Sequence, residues 1–71
     1  MSEEIIEVKI NGEIYKTSES ETLFNYLEKQ GFNVEKIAVE RDYEILSREF
    51  WDKVLLKDAK NYEIVEFVGG G

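Results

Sequence analysis

The 71-residue sequence contains neither cysteine nor histidine. Disulfide frameworks, zinc sites of the Cys/His type, thiol nucleophiles and Ser-His or Cys-His catalytic pairs are therefore excluded within this chain. A Walker motif is also missing, and a glycine run that precedes no helix is not a phosphate loop, so nothing here could bind ATP by itself. These absences predict a chain that is not an enzyme and that holds no metal or cofactor of its own.

Positive charge and long apolar runs are scarce as well. Nine lysines and arginines against 16 aspartates and glutamates give a net charge of −7, which would repel a nucleic-acid backbone or an anionic membrane surface. No segment approaches the roughly 20 apolar residues that cross a bilayer, and the start "MSEEIIEVKI" carries acid where a signal peptide carries base. We expect a soluble, cytoplasmic protein with no nucleic-acid or membrane partner.

The first clear structural signal is the hairpin sequence "IIEVKINGEIYKT". Asn11-Gly12 favours a type I′ turn because both central residues need positive φ. A two-residue turn places Ile10 opposite Glu13 and Val8 opposite Tyr15, with Ile6 opposite Thr17. The side that carries Ile6, Val8, Ile10 and Tyr15 is expected to face the core.

A helix is predicted next, in "SESETLFNYLEKQGF". Leu23, Phe24 and Leu27 share one face with Tyr26 at its edge, and Gly31 follows the helix. Ser18 with Glu21 matches a capping box, while Ser20 and Thr22 are alternative caps. A helix of two to three turns is too short to be stable alone and must lie on a sheet.

The rest of the chain is predicted as short strands separated by turns. "KIAVERDYEIL" is typical of a strand, a bend at residues 41–43 and a second short strand, and "SREFW" of one helical turn that brings Phe50 and Trp51 to the core edge. With Tyr43, these two aromatic residues are expected in core or edge packing. Residues 53–56 are predicted as a strand, followed by a polar turn and a last strand over residues 62–68.

One sheet crossed by one helix predicts an α+β fold of the ubiquitin-like β-grasp type, with a mixed sheet whose last strand lies centrally, beside and parallel to the first. We expect a β-grasp domain over residues 1–68 and a flexible glycine tail over residues 69–71. Apolar residues occur on both faces of the last strand. Val65 and Phe67 are thus either sheet core or an exposed patch that a partner binds, and parity alone leaves both interpretations open.

Four segments resemble the ThiS family, the bacterial sulfur-carrier proteins of thiamin biosynthesis. They are "INGE", "ETLFNYLEKQG", "IAVERDYEILSREFW" and the end "DAKNYEIVEFVGGG", and together the resemblance covers essentially the whole chain. Such carriers have the ubiquitin-like fold and end in Gly-Gly.

The resemblance implies a chemistry for the tail, Gly69, Gly70 and Gly71. An E1-like adenylyltransferase of the ThiF type would join the Gly71 carboxylate to AMP, using ATP that the partner enzyme binds. A sulfur donor such as a cysteine desulfurase would then supply a persulfide that converts this terminus to a thiocarboxylate. A thiazole synthase of the ThiG type would take the sulfur.

Two other functions share this fold. A related carrier would deliver sulfur to molybdopterin or to tRNA thiolation, and a ubiquitin-like modifier would join the Gly71 carboxyl to a lysine of another protein. The "VGGG" ending and the full-length similarity favour the thiamin carrier.

Overall fold

A five-stranded mixed sheet with one α-helix across it organises residues 3–67, the part of the chain that the computed structural model describes. The order across the sheet is β2-β1-β5-β3-β4, and β5 is parallel to β1 and antiparallel to β3. This is the ubiquitin-like β-grasp arrangement that the sequence predicted. The elements are β1 (Ile5–Ile10), β2 (Glu13–Ser18), α1 (Leu23–Lys29), β3 (Ile37–Arg41), β4 (Glu44–Ile45) and β5 (Asn61–Glu66).

The β1–β2 hairpin has the predicted register. Ile10 pairs with Glu13, and Val8 pairs with Tyr15. Asn11 and Gly12 have φ values of 54° and 83°, the two positive values that a type I′ turn requires. Val8 and Ile10 are buried, and Ile6 and Tyr15 pack against the same core.

Helix α1 begins after Thr22, which is the N-cap among the three candidates. The Thr22 side chain accepts a hydrogen bond from the Asn25 backbone N–H at 3.0 Å. Two further N–H groups at the start of the helix donate to carbonyls of the loop below it, Leu23 to Val54 and Phe24 to Trp51, each at 2.9 Å. The helix is thereby attached at its first turn to the segment that precedes the last strand.

The helix covers one face of the sheet and encloses a single core. Tyr26 is buried beneath the helix instead of lying at its edge, and Phe24 is only half-buried. Trp51 belongs to the core as well, with its indole N–H donating to the Leu46 carbonyl at 2.9 Å. The largest fully buried side chains are Trp51, Tyr62, Leu23, Leu27, Leu56 and Val39.

Besides the position of Tyr26, two further sequence predictions are wrong. Residues 53–56 form no strand, because the Val54 carbonyl binds the helix N-terminus, Leu55 makes one isolated bridge to Thr22, and a 3₁₀-helix begins at Leu56. The aromatic residues Phe50 and Tyr43 are exposed, at 46% and 76%, and do not pack in the core. Within residues 3–67, no helix is long and apolar enough to cross a membrane.

Candidate functional site

The candidate site is the end of β5, the strand that leads to the glycine tail. Its pairing with β3 runs from Arg41 opposite Tyr62 to Ile37 opposite Glu66. The ladder continues one residue beyond the strand, where the Phe67 backbone N–H donates to the Lys36 carbonyl at 2.8 Å. Residues as far as Phe67 are thus held on this side by backbone hydrogen bonds.

On its other side, β5 extends past the end of its parallel neighbour. Strand β1 stops at Ile10, which pairs with Tyr62. Asn11, in the hairpin turn, then makes two hydrogen bonds to β5. Its backbone N–H donates to the Tyr62 carbonyl at 2.9 Å, and its side-chain Oδ1 accepts from the Ile64 N–H at 2.7 Å. The turn therefore supports the last strand beyond the point where β1 ends.

The two faces of β5 differ in burial. Tyr62 and Ile64 face α1 and are buried, whereas Val65 and Phe67 are 48% and 56% exposed. The interpretation of Val65 and Phe67 as sheet core is therefore wrong. Their role as a partner interface stays a prediction.

Val65 and Phe67 lie in a larger apolar surface on the face of the sheet opposite the helix. Ala38 of β3 pairs with Val65, and Glu40 of β3 pairs with Ile45. Because alternate residues of a strand point to the same face, Ala38, Ile45 and Val65 share this face. A shallow groove of about 250 Å³ is lined in part by Ala38, Ile45 and Phe67. We call the set of Ala38, Ile45, Val65 and Phe67 the Phe67 patch.

Sequence reasoning did not include Ala38 and Ile45 in this surface. A signal for Ile45 was present, because β4 is only two residues long and apolar Leu46 follows Ile45 directly. Neighbouring residues of an extended chain point to opposite sides, so one of the two had to face outward. Leu46 is buried and Ile45 is 71% exposed.

Acidic residues lie next to the Phe67 patch. Glu40 of β3 pairs with Glu63 of β5 on the same face, and like charges directly opposite each other on a sheet are unfavourable. This pair makes the open face locally acidic beside the Phe67 patch, whereas Lys9 of β1 and Lys16 of β2 lie on the same face farther along the sheet. The arrangement would be complemented by a partner that brings lysine or arginine to this side of the sheet.

Tyr62 and Glu21 are buried titratable side chains that belong to the scaffold. Burial raises the pKa of Tyr62 to about 12, since the opposing effect of Arg41 is smaller, so the phenol stays protonated at neutral pH. Its O–H group faces the carbonyls of Leu55 and Leu56, at 3.2 and 3.1 Å. Tyr62 therefore ties β5 to the preceding 3₁₀-helix and offers no acid–base chemistry near pH 7.

Glu21 is the buried acid of the described chain and lies just before α1. Burial alone would raise its pKa, but four donors outweigh that effect and hold the pKa below its usual value. Asn25 Nδ2 and Lys29 Nζ donate to its Oε2 at 2.8 and 2.9 Å. Oε1 accepts from the Tyr15 and Thr17 hydroxyls. Because two of these donors belong to β2 and two belong to α1, the cluster joins the hairpin to the helix.

The structure does not place the predicted sulfur-carrying end. Gly69, Gly70 and Gly71 lie outside the described residues, as does Val68, so the predicted flexible tail and its boundary stay predictions. Among residues 3–67, no group of three or more acidic, histidine or cysteine side chains could hold a metal ion. The described geometry is that of a hydrogen-bonded strand end with an exposed apolar surface beside it.

Comparisons with known proteins agree on one family. A family model described as the ThiS family matches residues 8–71. The crystal structure of a thiamine biosynthesis protein (ThiS) from Geobacter metallireducens superimposes with a TM-score of 0.75 at 29% identity, covering 93% of this chain and all of that one. An uncharacterized protein, ycf40, of Porphyra purpurea is 36% identical over 69 residues and is covered to 93%.

Two relatives are much longer proteins. A thiazole synthase of Magnetococcus marinus is 36% identical over 66 residues, and one of Paramagnetospirillum magneticum is 40% identical over 62 residues. These alignments cover 93% and 87% of this chain but only 20% and 19% of the relatives. The chain therefore spans about a fifth of the length of these two proteins.

Proposed function

Because the chain belongs to the ThiS family, as the sequence resemblance indicated, we propose that it is a sulfur carrier of thiamin biosynthesis. In this proposal the Gly71 carboxyl group is the carrying group. The observation that carries it is the extent of the family match, which includes all three glycines up to Gly71. The exposed Phe67 patch, immediately before the tail, supports it as a surface for the enzymes that act on Gly71.

A carboxylate must be activated before sulfur can replace one of its oxygens. Its negative charge is delocalised over two oxygens, and direct substitution would have to expel oxide. In the proposed first step, a Gly71 carboxylate oxygen attacks the α-phosphorus of ATP and pyrophosphate leaves. The product is an acyl adenylate whose leaving group is AMP. An E1-like adenylyltransferase would bind the ATP.

Sulfur then enters in two steps, through an acyl disulfide intermediate. The terminal sulfur of a persulfide attacks the Gly71 carbonyl carbon, AMP leaves, and an acyl disulfide forms. A second thiol attacks the outer sulfur of that disulfide, so that the S–S bond breaks and a thiocarboxylate remains on Gly71. The second thiol is oxidised to a disulfide. A cysteine desulfurase is a suitable class of enzyme for supplying the persulfide.

The sequence suits this role in two respects. With no cysteine in the chain, no side chain could hold the sulfur as a persulfide, which suits a carrier that holds it on the terminal carboxyl as a thiocarboxylate. Glycine at positions 69–71 adds no β-carbon, so that a narrow channel of the activating enzyme can admit the terminus in extended or positive-φ conformations. The cost of ordering these glycines then falls on binding and not on folding.

A thiazole synthase is the proposed acceptor of the sulfur. Two proteins of that name contain a segment similar to most of this chain, which supports a functional pairing of carrier and synthase. In this proposal the chain acts as a substrate of its partners, is not itself an enzyme, and works in the cytoplasm.

Mass spectrometry of the intact protein tests the proposal. After incubation with the ThiF-type enzyme, ATP and a persulfide donor, the mass should rise by the difference between one sulfur and one oxygen atom. Fragmentation should place this change at Gly71. Adding the thiazole synthase and its substrates should return the mass to the starting value.

Two modified chains serve as controls. A chain with a C-terminal amide should not react, and Gly71→Ala should react more slowly because of its β-carbon. A gain of a whole second protein joined through lysine would favour the modifier function instead. Sulfur transfer to a molybdopterin precursor or a tRNA, but not to a thiazole synthase, would assign the chain to another sulfur pathway.

A further inference from the structure

We infer that Asn11 is a positioning residue for the proposed reaction, because its side chain binds the end of the last strand, from which the chain continues to Gly71. The inference depends on the proposed function at Gly71 and adds a residue from the opposite part of the sequence. Asn11 lies in the first hairpin, and the residue it binds, Ile64, is 53 positions later.

The geometry of β1 and β5 explains why the Asn11 side chain can bind the last strand. A parallel neighbour normally supplies a carbonyl to every second N–H along the strand. Strand β1 supplies this pairing as far as Ile10 and then turns away. At the next position, Asn11 Oδ1 lies 2.7 Å from the Ile64 nitrogen and takes the place of the missing carbonyl. The side chain thus extends the ladder by one hydrogen bond toward the tail.

The hydrogen bond between Asn11 and Ile64 fixes the orientation of the strand end. Beyond Ile64, the strand is held by β3 on its other side, through Ile37 opposite Glu66 and the Phe67–Lys36 hydrogen bond. Without Asn11 Oδ1, the strand end could pivot about that single line of bonds. Val65 and Phe67, the two residues of the Phe67 patch on this strand end, would then no longer keep one fixed orientation relative to the rest of the sheet. Loss of such orientation lowers the rate of a reaction more than it lowers binding.

The Asn11 side chain is needed for its bond to β5 and not for the turn. Glycine satisfies the φ of 54° at position 11 at least as well as asparagine does, so the turn alone does not require the side chain. Asn11 is also exposed, and its removal creates no core cavity. A substitution here can therefore change the strand end while the fold stays intact.

The test compares three variants. Asn11→Gly keeps the turn and removes the acceptor, whereas Asn11→Asp keeps both the turn and an acceptor oxygen. Asp42→Gly is the matched control at the other end of β5. Asp42 also has a positive φ, 49°, and its backbone N–H also donates to β5, to the Asn61 carbonyl at 2.8 Å. Within the described residues, its carboxylate makes no hydrogen bond to that strand.

Two measurements are made on each variant. In Asn11→Gly, hydrogen exchange of the Ile64 amide in the free protein should become roughly tenfold faster. ATP–pyrophosphate exchange with the ThiF-type enzyme should show a kcat lowered by roughly tenfold, with KM changed by less than about twofold. Asn11→Asp should restore both values, and Asp42→Gly should leave both at the wild-type level.

The outcomes distinguish this inference from the proposed function. If the wild type is adenylated and Asn11→Gly is adenylated equally fast, the inference is wrong and the proposed function stands. The inference is also wrong if Asn11→Asp is as slow as Asn11→Gly, since the acceptor would then not be the cause. If the wild-type chain is never adenylated, both are wrong.

Discussion

The two faces of the central sheet differ in how far their side chains are buried. Beneath α1, the side chains of β5 are fully enclosed, and even the polar groups Tyr62 Oη and Glu21 have partners. On the opposite face, the same strand exposes Val65 and Phe67 next to a pair of opposed glutamates. The covered face has the features that stabilise a small domain. The open face retains features that cost stability, as the proposed partner surface would.

The covered face should show the largest effect. Tyr62→Ala should lower the free energy of unfolding by about 3–5 kcal/mol, because it empties a fully buried site and leaves two carbonyls without their donor. For a domain of this size that loss is enough to unfold much of the protein. Urea denaturation followed by circular dichroism measures it.

The exposed Tyr43 provides a matched control for Tyr62. Tyr43→Ala makes the same chemical change at a side chain that is 76% exposed, and should change stability by less than about 0.5 kcal/mol. Equal losses from the two tyrosines would contradict the division between the faces.

An intermediate effect is expected from the Glu21 cluster. Glu21→Gln should cost about 1–3 kcal/mol at neutral pH, because the donors from Lys29, Asn25, Thr17 and Tyr15 lose a charged acceptor. The pKa of Glu21 is lowered in the folded state, so its contribution is complete above the ordinary value of 4.5 and is lost as the pH falls through the folded-state pKa.

Denaturation series at several pH values check this prediction. The stability difference between wild type and Glu21→Gln should shrink as the pH falls below 4.5. Glu28→Gln, an exposed substitution within α1, should change the free energy of unfolding at neutral pH by less than about 0.5 kcal/mol. A difference that stays constant down to the lowest pH would show that the charge of Glu21 does not matter.

The smallest effect on stability is expected on the open face. Phe67→Ala should change the free energy of unfolding by less than about 0.5 kcal/mol, yet weaken binding to the activating enzyme by about 1 kcal/mol or more, as loss of an aromatic anchor does. Calorimetric titration and thermal unfolding measure the two quantities. Ile14→Ala is the control, because Ile14 is equally exposed, at 56%, but belongs to the far strand β2. Weakened binding by both variants, or unfolding by Phe67→Ala, would contradict a specific interface at the Phe67 patch.

The hairpin and its register, which the sequence predicted correctly, depend on local chemistry. Asn11-Gly12 fixes the turn, and the turn fixes the hairpin register residue by residue. The wrong parts depend on distant neighbours. Val54 has β-propensity, but its carbonyl is used by the Leu23 N–H, a partner that only the docked helix provides.

The candidate site shows the same limit. Alternation along the chain places Val65 and Phe67 together, but which face α1 covers is a property of the assembled fold. The support from Asn11 Oδ1 joins two residues far apart in sequence, so the Asn-Gly pattern indicated the turn and nothing about β5. The chemistry assigned to Gly71 came from the family resemblance, since three glycines alone carry no such information.

The central position of β5 also has a consequence for how the domain folds. The first hairpin and the helix can form early, but the strand that lies between β1 and β3 is the last one in the sequence. Pairing Ile10 with Tyr62 closes a long loop, a kind of contact that slows folding. Until residues 61–66 have been synthesised, Val8 and Val39 have no sheet centre to pack around. A nascent chain is therefore expected to complete this fold only after residues 61–66 have left the ribosome.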